Sequence, residues 1–411
     1  MINVIDAIMG SGKSQSSIKY MNDHPEQRFV YVTPYLDEAK RIKDGCPTLE
    51  FVEPNKMLPE FKFSKLNHCK YLLKHGRNIA STHQLFSMFD DEAIASIKEY
   101  VYTVIIDEVV DVFTKSDYSV GDIQLLIDAG YIVQEEDGTY RAGDIEYTGT
   151  RLNDLFLILK HNRLIKISST GKSEYFYYWI FPIEVIKAFK DVFILTYLFE
   201  SQDMKHYFTI NNIPYRYMGI QRRNGTYEFS ETVFDIPNYV RDIKNKITVI
   251  DNEKLNRIGK GKYDISDNWF RRAGESNVKQ LKDNLYNYFR FYSNSSSAKD
   301  NMWATFDGRK TKLRGKGYAS GYVVFNKRAT NELRNKTALA YCSNIFVRPE
   351  KKHYFEQFGI EYDEDTYALS VLIQWIWRSA IRDGESIVIY IPVKRMRDLL
   401  LSWIDSFSNS T

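Results

Sequence analysis

Eight residues near the start of the chain, Ala7-Ile8-Met9-Gly10-Ser11-Gly12-Lys13-Ser14, follow the apolar run Ile2 to Ile5 and open a helical pattern. A strand, a glycine-bearing turn and a Lys-Ser pair at a helix start form a phosphate-holding arrangement. Glycines let main-chain N–H groups close around phosphate oxygens. In that pattern Lys13 reaches the β- and γ-phosphates, the main chain of Gly10, Ser11 and Gly12 cradles them, and Ser14 holds Mg²⁺. Ala7 stands where a glycine is more usual, and the competing account is an ordinary strand-to-helix turn. What decides between them is whether the rest of the chain supplies the partners that a bound nucleotide requires.

From Ile2 to about Ser201, short apolar runs alternate with helical patterns, which predicts βαβ units and a parallel sheet. The runs are Ile2 to Ile5, Phe29 to Val32, Asn78 to Ser81, Val101 to Ile106 and Val192 to Thr196. Ligands of such sheets bind beyond the carboxyl ends of the strands, so the residues closing each run carry the information. Thr33-Pro34 closes the second run and Thr82-His83-Gln84 the third, each ahead of a helix. A helix cap is the competing account of either threonine. The fourth run closes in Asp107-Glu108. Two carboxylates there place the first beside the Mg²⁺ of the phosphate loop and the second where it polarises a water on the γ-phosphate. The fifth closes in Thr196, positioned to sense the metal site or simply to cap a turn.

Between Asp111 and Pro182 the alternation lapses into polar, Gly-containing, Tyr-rich segments, read as an irregular insertion. Core packing and a nucleic-acid-facing surface are the two accounts of its aromatics and lysines. Gly171-Lys172-Ser173 repeats the end of the phosphate loop, but Lys166 occupies the first-glycine position and Glu174 to Phe181 is strand-like, so it is no second nucleotide site.

Past about Tyr207 a second α/β alternation begins, with strands expected at Ile247 to Ile250, Met302 to Thr305, Tyr322 to Phe325 and Ile387 to Ile391. A helix is expected over Asn277 to Tyr292. Arg309 to Lys316 holds five basic residues, the densest positive cluster in the chain. Gln374, Arg378 and Arg382 are spaced by four in a helical pattern starting near Thr366, which puts them on one helix face. Two arginines offered by a second domain suit the γ-phosphate as arginine fingers; a solvated polar stripe is the alternative.

Bulk properties exclude several classes. The net charge of +3 is too close to neutral to argue for nucleic acid by itself, although local basic clusters could still bind it. Cys46, Cys69 and Cys342 are too far apart for a disulfide framework or a zinc site. No signal peptide and no membrane-length apolar run is present, so a cytoplasmic location is expected, the host cytoplasm if the protein is viral.

In this order the stretches resemble the motifs of superfamily 2 helicases, in particular the small viral and phage members with DEAD-like ATPase domains. Ala7 to Ser14 looks like motif I, Thr33-Pro34 like Ia, Thr82-His83-Gln84 like Ib, Asp107-Glu108-Val109-Val110 like II, and Leu195-Thr196 like III. Asn326 to Asn331, with Arg328, Thr330 and Asn331, falls where motif V belongs, and Gln374 to Arg382 looks like motif VI. The resemblance implies an α/β fold of two RecA-like parallel-sheet domains with an ATP cleft between them: 1–206 with an insertion at about 111–182, and 207–411 carrying the arginine helix. It implies ATP and Mg²⁺ held by Lys13, Ser14 and Asp107, with Glu108 positioning water and Gln374, Arg378 and Arg382 completing the site. Thr33, Pro34, Thr82, His83, Thr330 and Asn331 would face a nucleic-acid strand, and Thr196 would couple the two activities. Arg382 follows Arg378 by four residues where three is usual, which leaves either as the finger. No glutamine motif precedes the loop to read adenine. The expected activity is a monomeric, nucleic-acid-stimulated ATPase acting on DNA in phage replication or recombination, with other replication proteins as partners. An RNA helicase and a viral packaging-type motor are the alternatives.

Overall fold

The computed structural model describes residues 1–34, 36–168, 174–232, 240, 242–295, 297–325 and 333–407. The chain divides into two compact units. The first comprises Met1–Ile8, Gly12–Asp235 and Arg348–Tyr362; the second comprises Met9–Ser11, Ile236–Val347 and Asp363–Thr411.

In the first unit the opening strands are β1 (Ile2–Asp6), β2 (Phe29–Thr33), β3 (Ile79–Thr82) and β4 (Thr103–Asp107). The insertion follows with β5 (Phe113–Lys115), β6 (Ile132–Gln134), β7 (Tyr140–Ala142), β8 (Arg163–Ser168) and β9 (Tyr175–Ile180). The main sheet then resumes with β10 (Asp191–Thr196), β11 (Tyr215–Arg223) and β12 (Thr226–Ser230). Its order is β12-β11-β1-β10-β4-β2-β3, parallel throughout except for β12. The central position of β4 explains its composition. Val104, Ile105 and Ile106 are wholly buried because both faces of an interior parallel strand are covered. One face packs Ile5, Ile105 and Leu195 against Met21 and Ile18 of the helix α1 (Lys13–Asp23), which follows β1.

The insertion is more ordered than its texture suggests. Its strands form a separate antiparallel sheet, β5-β9-β8-β7-β6, with a core of Ile123, Leu126, Leu155, Phe156, Leu164 and Tyr177. Three of its strands have only three residues, too few to show alternation in sequence. Tyr140, Tyr177 and Tyr178 are buried, so these aromatics are core. Gly171-Lys172-Ser173 lies outside the described residues. The hairpin β11–β12, from the Tyr-rich stretch after Tyr207, is hydrogen-bonded to β1 and so extends the first sheet.

The second unit is built on a four-stranded parallel sheet. Its strands are β13 (Ile247–Val249), β14 (Asn301–Ala304), β15 (Ala338–Tyr341) and β16 (Ile387–Tyr390), in the order β13-β16-β15-β14. The interior strand β15 has the sequence Ala-Leu-Ala-Tyr, whose alanines give little strand signal. No strand forms over Tyr322–Phe325 within the described residues: Tyr322 makes only an isolated bridge to Trp303. The helix expected over 277–292 runs from Glu275 to Asn287 and passes into a wider turn at Tyr288–Tyr292. Among the described residues, no helix is long and apolar enough to cross a membrane.

Candidate nucleotide site

The sheet brings the ends of β1, β10 and β4 side by side. Asp6 lies opposite Thr196, and Leu195 lies opposite Asp107. Two strand spacings, roughly 10 Å, therefore separate the end of β1 from the end of β4. Gly12 takes a φ of 91°, a left-handed conformation that a side chain would strain, and acts as the N-cap of α1. The first N–H groups of α1 lack helical partners, and no acidic residue sits in its first turn, so this end favours an anion.

Lys13 begins that helix. Its Nζ donates to the main-chain oxygen of Ile8 at 3.1 Å and to that of Ala7. Burial holds its pKa down at about 8 against the opposing pull of Asp107, Asp6 and Glu108. Asp107 shows the opposite strain. Burial, then the charges of Glu108 and Glu38, push its carboxyl up to about 7, with Lys13 and a hydrogen bond from Tyr31 working the other way. The Tyr31 hydroxyl donates to Asp107 Oδ2 at 3.1 Å. A half-buried cation and a half-buried carboxylate, each with its charged form disfavoured by its surroundings, are both stabilised by incoming opposite charge. Polyphosphate supplies it to Lys13 and a divalent cation to Asp107, so these residues fit the ATP and Mg²⁺ that the resemblance implies.

Glu108 is exposed, with a φ of 63° and its amide donating to the Leu195 carbonyl at 2.9 Å. A non-glycine residue held in the left-handed region beside a charged pair is the kind of local strain that collects at functional sites.

The other first-unit candidates lie along the same edge. Thr33 is wholly buried and opposite Thr82 in the β2–β3 register. Thr82 Oγ1 accepts from Leu85 N at 3.3 Å, so it caps the short helix His83–Phe86. His83 Nε2 donates to the Asp107 carbonyl at 2.9 Å, which ties the third strand's end to the carboxylate strand. Thr196 is buried, and its carbonyl accepts from Ala7 N at 3.0 Å.

Asp6, at the end of β1, is a further carboxylate of this edge. Its Oδ1 accepts from Leu198 N at 2.8 Å and its Oδ2 from Phe199 N at 3.0 Å, which fastens the turn after β10 to the strand before the phosphate loop. Its signal was available, since β1, like β4, is an apolar run closing in a carboxylate. Tyr31, inside a strand, gave none.

In the second unit the single arginine face is not formed. The helix runs from Glu364 to Ile376 and stops. Arg378 lies in the following turn and Arg382 in a 3₁₀ helix, Ala380–Asp383. Ser379 is extended (φ −82°, ψ −170°), and its hydroxyl donates back to the Ile376 carbonyl, which breaks the four-residue periodicity. Gln374 keeps its helical place. Arg378 Nη1 donates to the Val324 carbonyl at 3.2 Å, whereas Arg382 is exposed. Of the basic cluster, Arg309 pairs with Asp267 and Lys310 with Asp307. Thr330 and Asn331 lie outside the described residues.

This α/β architecture shares its fold with XPD structures. An XPD structure in its apo form superposes with a TM-score of 0.52 at 11% identity, covering 100% of this chain and 96% of that one. An XPD helicase does so with a TM-score of 0.51 at 9% identity, covering 100% and 95%. Residues 241–404 match the family model described as the YonV C-terminal Rossmann-like domain. The SPbeta prophage-derived uncharacterized protein YonV of Bacillus subtilis (strain 168) is 38% identical over 415 residues, covering 98% of this chain and 99% of its own length. The chain belongs to the YonV family.

Proposed function

We propose that the chain is a nucleic-acid-stimulated ATPase of superfamily 2, a helicase or translocase acting on DNA in phage replication or recombination. The observation that carries this reading is the charge arrangement at one sheet edge. Burial lowers the pKa of Lys13 and raises that of Asp107, and the exposed carboxylate of Glu108 stands next to them. The likeness in fold to XPD helicases supports the helicase class, and the prophage origin of YonV supports the phage setting.

In this reading the N–H groups at the start of α1 and the Lys13 ammonium take the triphosphate, with Lys13 giving up its bonds to Ala7 and Ile8. Ser14 and Asp107 would hold Mg²⁺, which neutralises charge on the phosphate oxygens when bound. Glu108 orients a water and accepts its proton. Thr82, His83, Thr330 and Asn331 serve the strand, whereas Thr33 and Pro34, being buried, hold the end of β2 from beneath; His83 and Thr196 relay between the two sites, and an arginine steadies transition-state charge.

The test is ATP hydrolysis by the purified chain alone and with single-stranded DNA, duplex DNA or RNA. DNA should raise the rate several-fold. Equal rates under all conditions would overturn the helicase reading, and stimulation by RNA alone would overturn the DNA assignment.

A further inference from the structure

The outer edge of the first sheet carries a feature that the reading above leaves unused. The hairpin β11–β12 turns through Asn224 (φ 50°) and Gly225 (φ 80°), the left-handed pair of a tight two-residue turn. Because β11 is parallel to β1 and β12 antiparallel to β11, this turn lies at the sheet edge that carries the phosphate loop. Its tip reads Arg222-Arg223-Asn224-Gly225-Thr226-Tyr227, and Arg222 stands directly opposite Tyr227 on one face of the pair. The Arg222 guanidinium lies 5.5 Å from the centre of the Tyr227 ring, within cation–π range.

The Tyr227 ring lies against Gly12, at the helix end of the phosphate loop. A Cβ added to Gly12 would fall 2.5 Å from its Cγ, 2.6 Å from Cδ1 and 2.9 Å from Cδ2. This close approach is a second reason, beside its φ, that only glycine fits there. The ring is half-buried against the core cluster that Ile18 and Tyr20 of α1 also join, and Arg222 is exposed. Among the described residues, neither has a carboxylate partner at the tip. Glu228 is engaged by Gln221, whose Nε2 donates to it at 2.7 Å.

We propose that the β11–β12 tip is the base-binding wall of the nucleotide site, with Tyr227 stacking on the nucleobase and Arg222 on the outer side. The proposal rests on the reading of the loop as a triphosphate site. A nucleoside whose phosphates sit on the N–H groups at Gly12 and Lys13 must lay its base on a wall within one nucleotide length. The tip offers an aromatic face and a guanidinium there. Every base has a π-face, so stacking is tolerant of base identity, whereas selection needs hydrogen bonds to base edges. The occupant is thus a nucleoside triphosphate of any base, purines binding best because they present more ring.

The experiment is equilibrium titration of the full chain with N-methylanthraniloyl-ATP and -GTP, and by calorimetry with inorganic tripolyphosphate. Wild type, Tyr227→Phe, Tyr227→Leu and Lys13→Ala are compared. Tyr227→Leu keeps the apolar packing and removes the π-face. It should weaken both nucleotides by about 5- to 150-fold, the range that stacking supplies, while tripolyphosphate binds as in wild type. Tyr227→Phe should bind all three normally. Unchanged nucleotide affinity in Tyr227→Leu overturns the base wall, and so does parallel loss of tripolyphosphate, which would mean that the ring only props the loop. Wild type that binds tripolyphosphate no better than Lys13→Ala overturns the phosphate-loop reading itself.

Discussion

His83 Nε2 lies 2.9 Å from the main-chain oxygen of Asp107, across the end of the intervening strand β2. A carbonyl only accepts, so the ring nitrogen carries the proton, and any shift of the Thr82-His83 turn pulls on the residue assigned to the metal. His83→Ala should leave unstimulated ATP hydrolysis within about twofold and reduce its stimulation by DNA roughly tenfold, a coupling of about 1–3 kcal/mol. Measuring the rate against DNA concentration decides it. Equal loss of both rates would show that His83 merely holds the site together.

Lys13 and Glu108 should separate binding from turnover. Lys13→Ala removes the buried cation and should abolish nucleotide binding and hydrolysis together. Glu108→Gln keeps shape and hydrogen-bonding capacity but cannot accept a proton. It should bind nucleotide normally and lower kcat by about 10²- to 10⁴-fold. Single-turnover kinetics beside a binding titration distinguishes the two. Normal turnover in Glu108→Gln would remove it from the chemistry.

The parallel sheet was legible because its strands are interior and therefore continuously apolar, and because a strand end followed by a helix marks the binding edge. Lys13, Asp107 and Glu108 are candidates by the same rule. Asp6 satisfied the same rule and was passed over, since its partners, the amides of Leu198 and Phe199, are remote in sequence. The break after Ile376 was illegible for a different reason: Gln374, Arg378 and Arg382 keep helical spacing, and nothing local to Ser379 announces an extended conformation. Tyr227 is invisible without the strand pairing that carries it to Gly12.

Asp6 gives a test of how firmly the turn after β10 is held. Leu198 is itself left-handed at φ 57°, so the two amide bonds to Asp6 hold a strained turn in place. Asp6→Ala leaves those donors unmatched and should lower unfolding free energy by roughly 2 kcal/mol. Asp6→Asn, which keeps one acceptor, should lose about half as much. Urea unfolding of the three proteins measures this, and an unchanged midpoint in Asp6→Ala would show that the turn holds itself.

The two arginines should part company. Arg378 is anchored on the Val324 carbonyl, while Arg382 is exposed, so Arg382 is expected to be the finger. Arg382→Ala should lower kcat by about 10³-fold with nucleotide affinity nearly unchanged. Arg378→Ala should chiefly lower the melting temperature. The reverse pattern would assign the finger to Arg378.

His206 predicts an acid sensitivity unrelated to the nucleotide. It is about 1% exposed, packed against the rings of Phe355 and Tyr362 at 5.3 and 4.6 Å. Burial lowers its pKa to about 4 from 6.5; Lys205 and Lys351 push the same way, and Asp203 and Glu200 oppose. A depressed folded-state pKa means stability that is complete above pH 6.5 and lost as pH falls toward 4, because the unfolded chain takes the proton first. At about 1.4 kcal/mol per unit, the loss attributable to this ring is roughly 3 kcal/mol across that window. His206→Phe keeps an aromatic ring without a titrating nitrogen. Its unfolding free energy should therefore gain on wild type by about 3 kcal/mol between pH 7.5 and 4, as read from urea unfolding at each pH. A constant difference between the two proteins over that range would show that His206 remains neutral in the unfolded chain as well, or charges in the folded one.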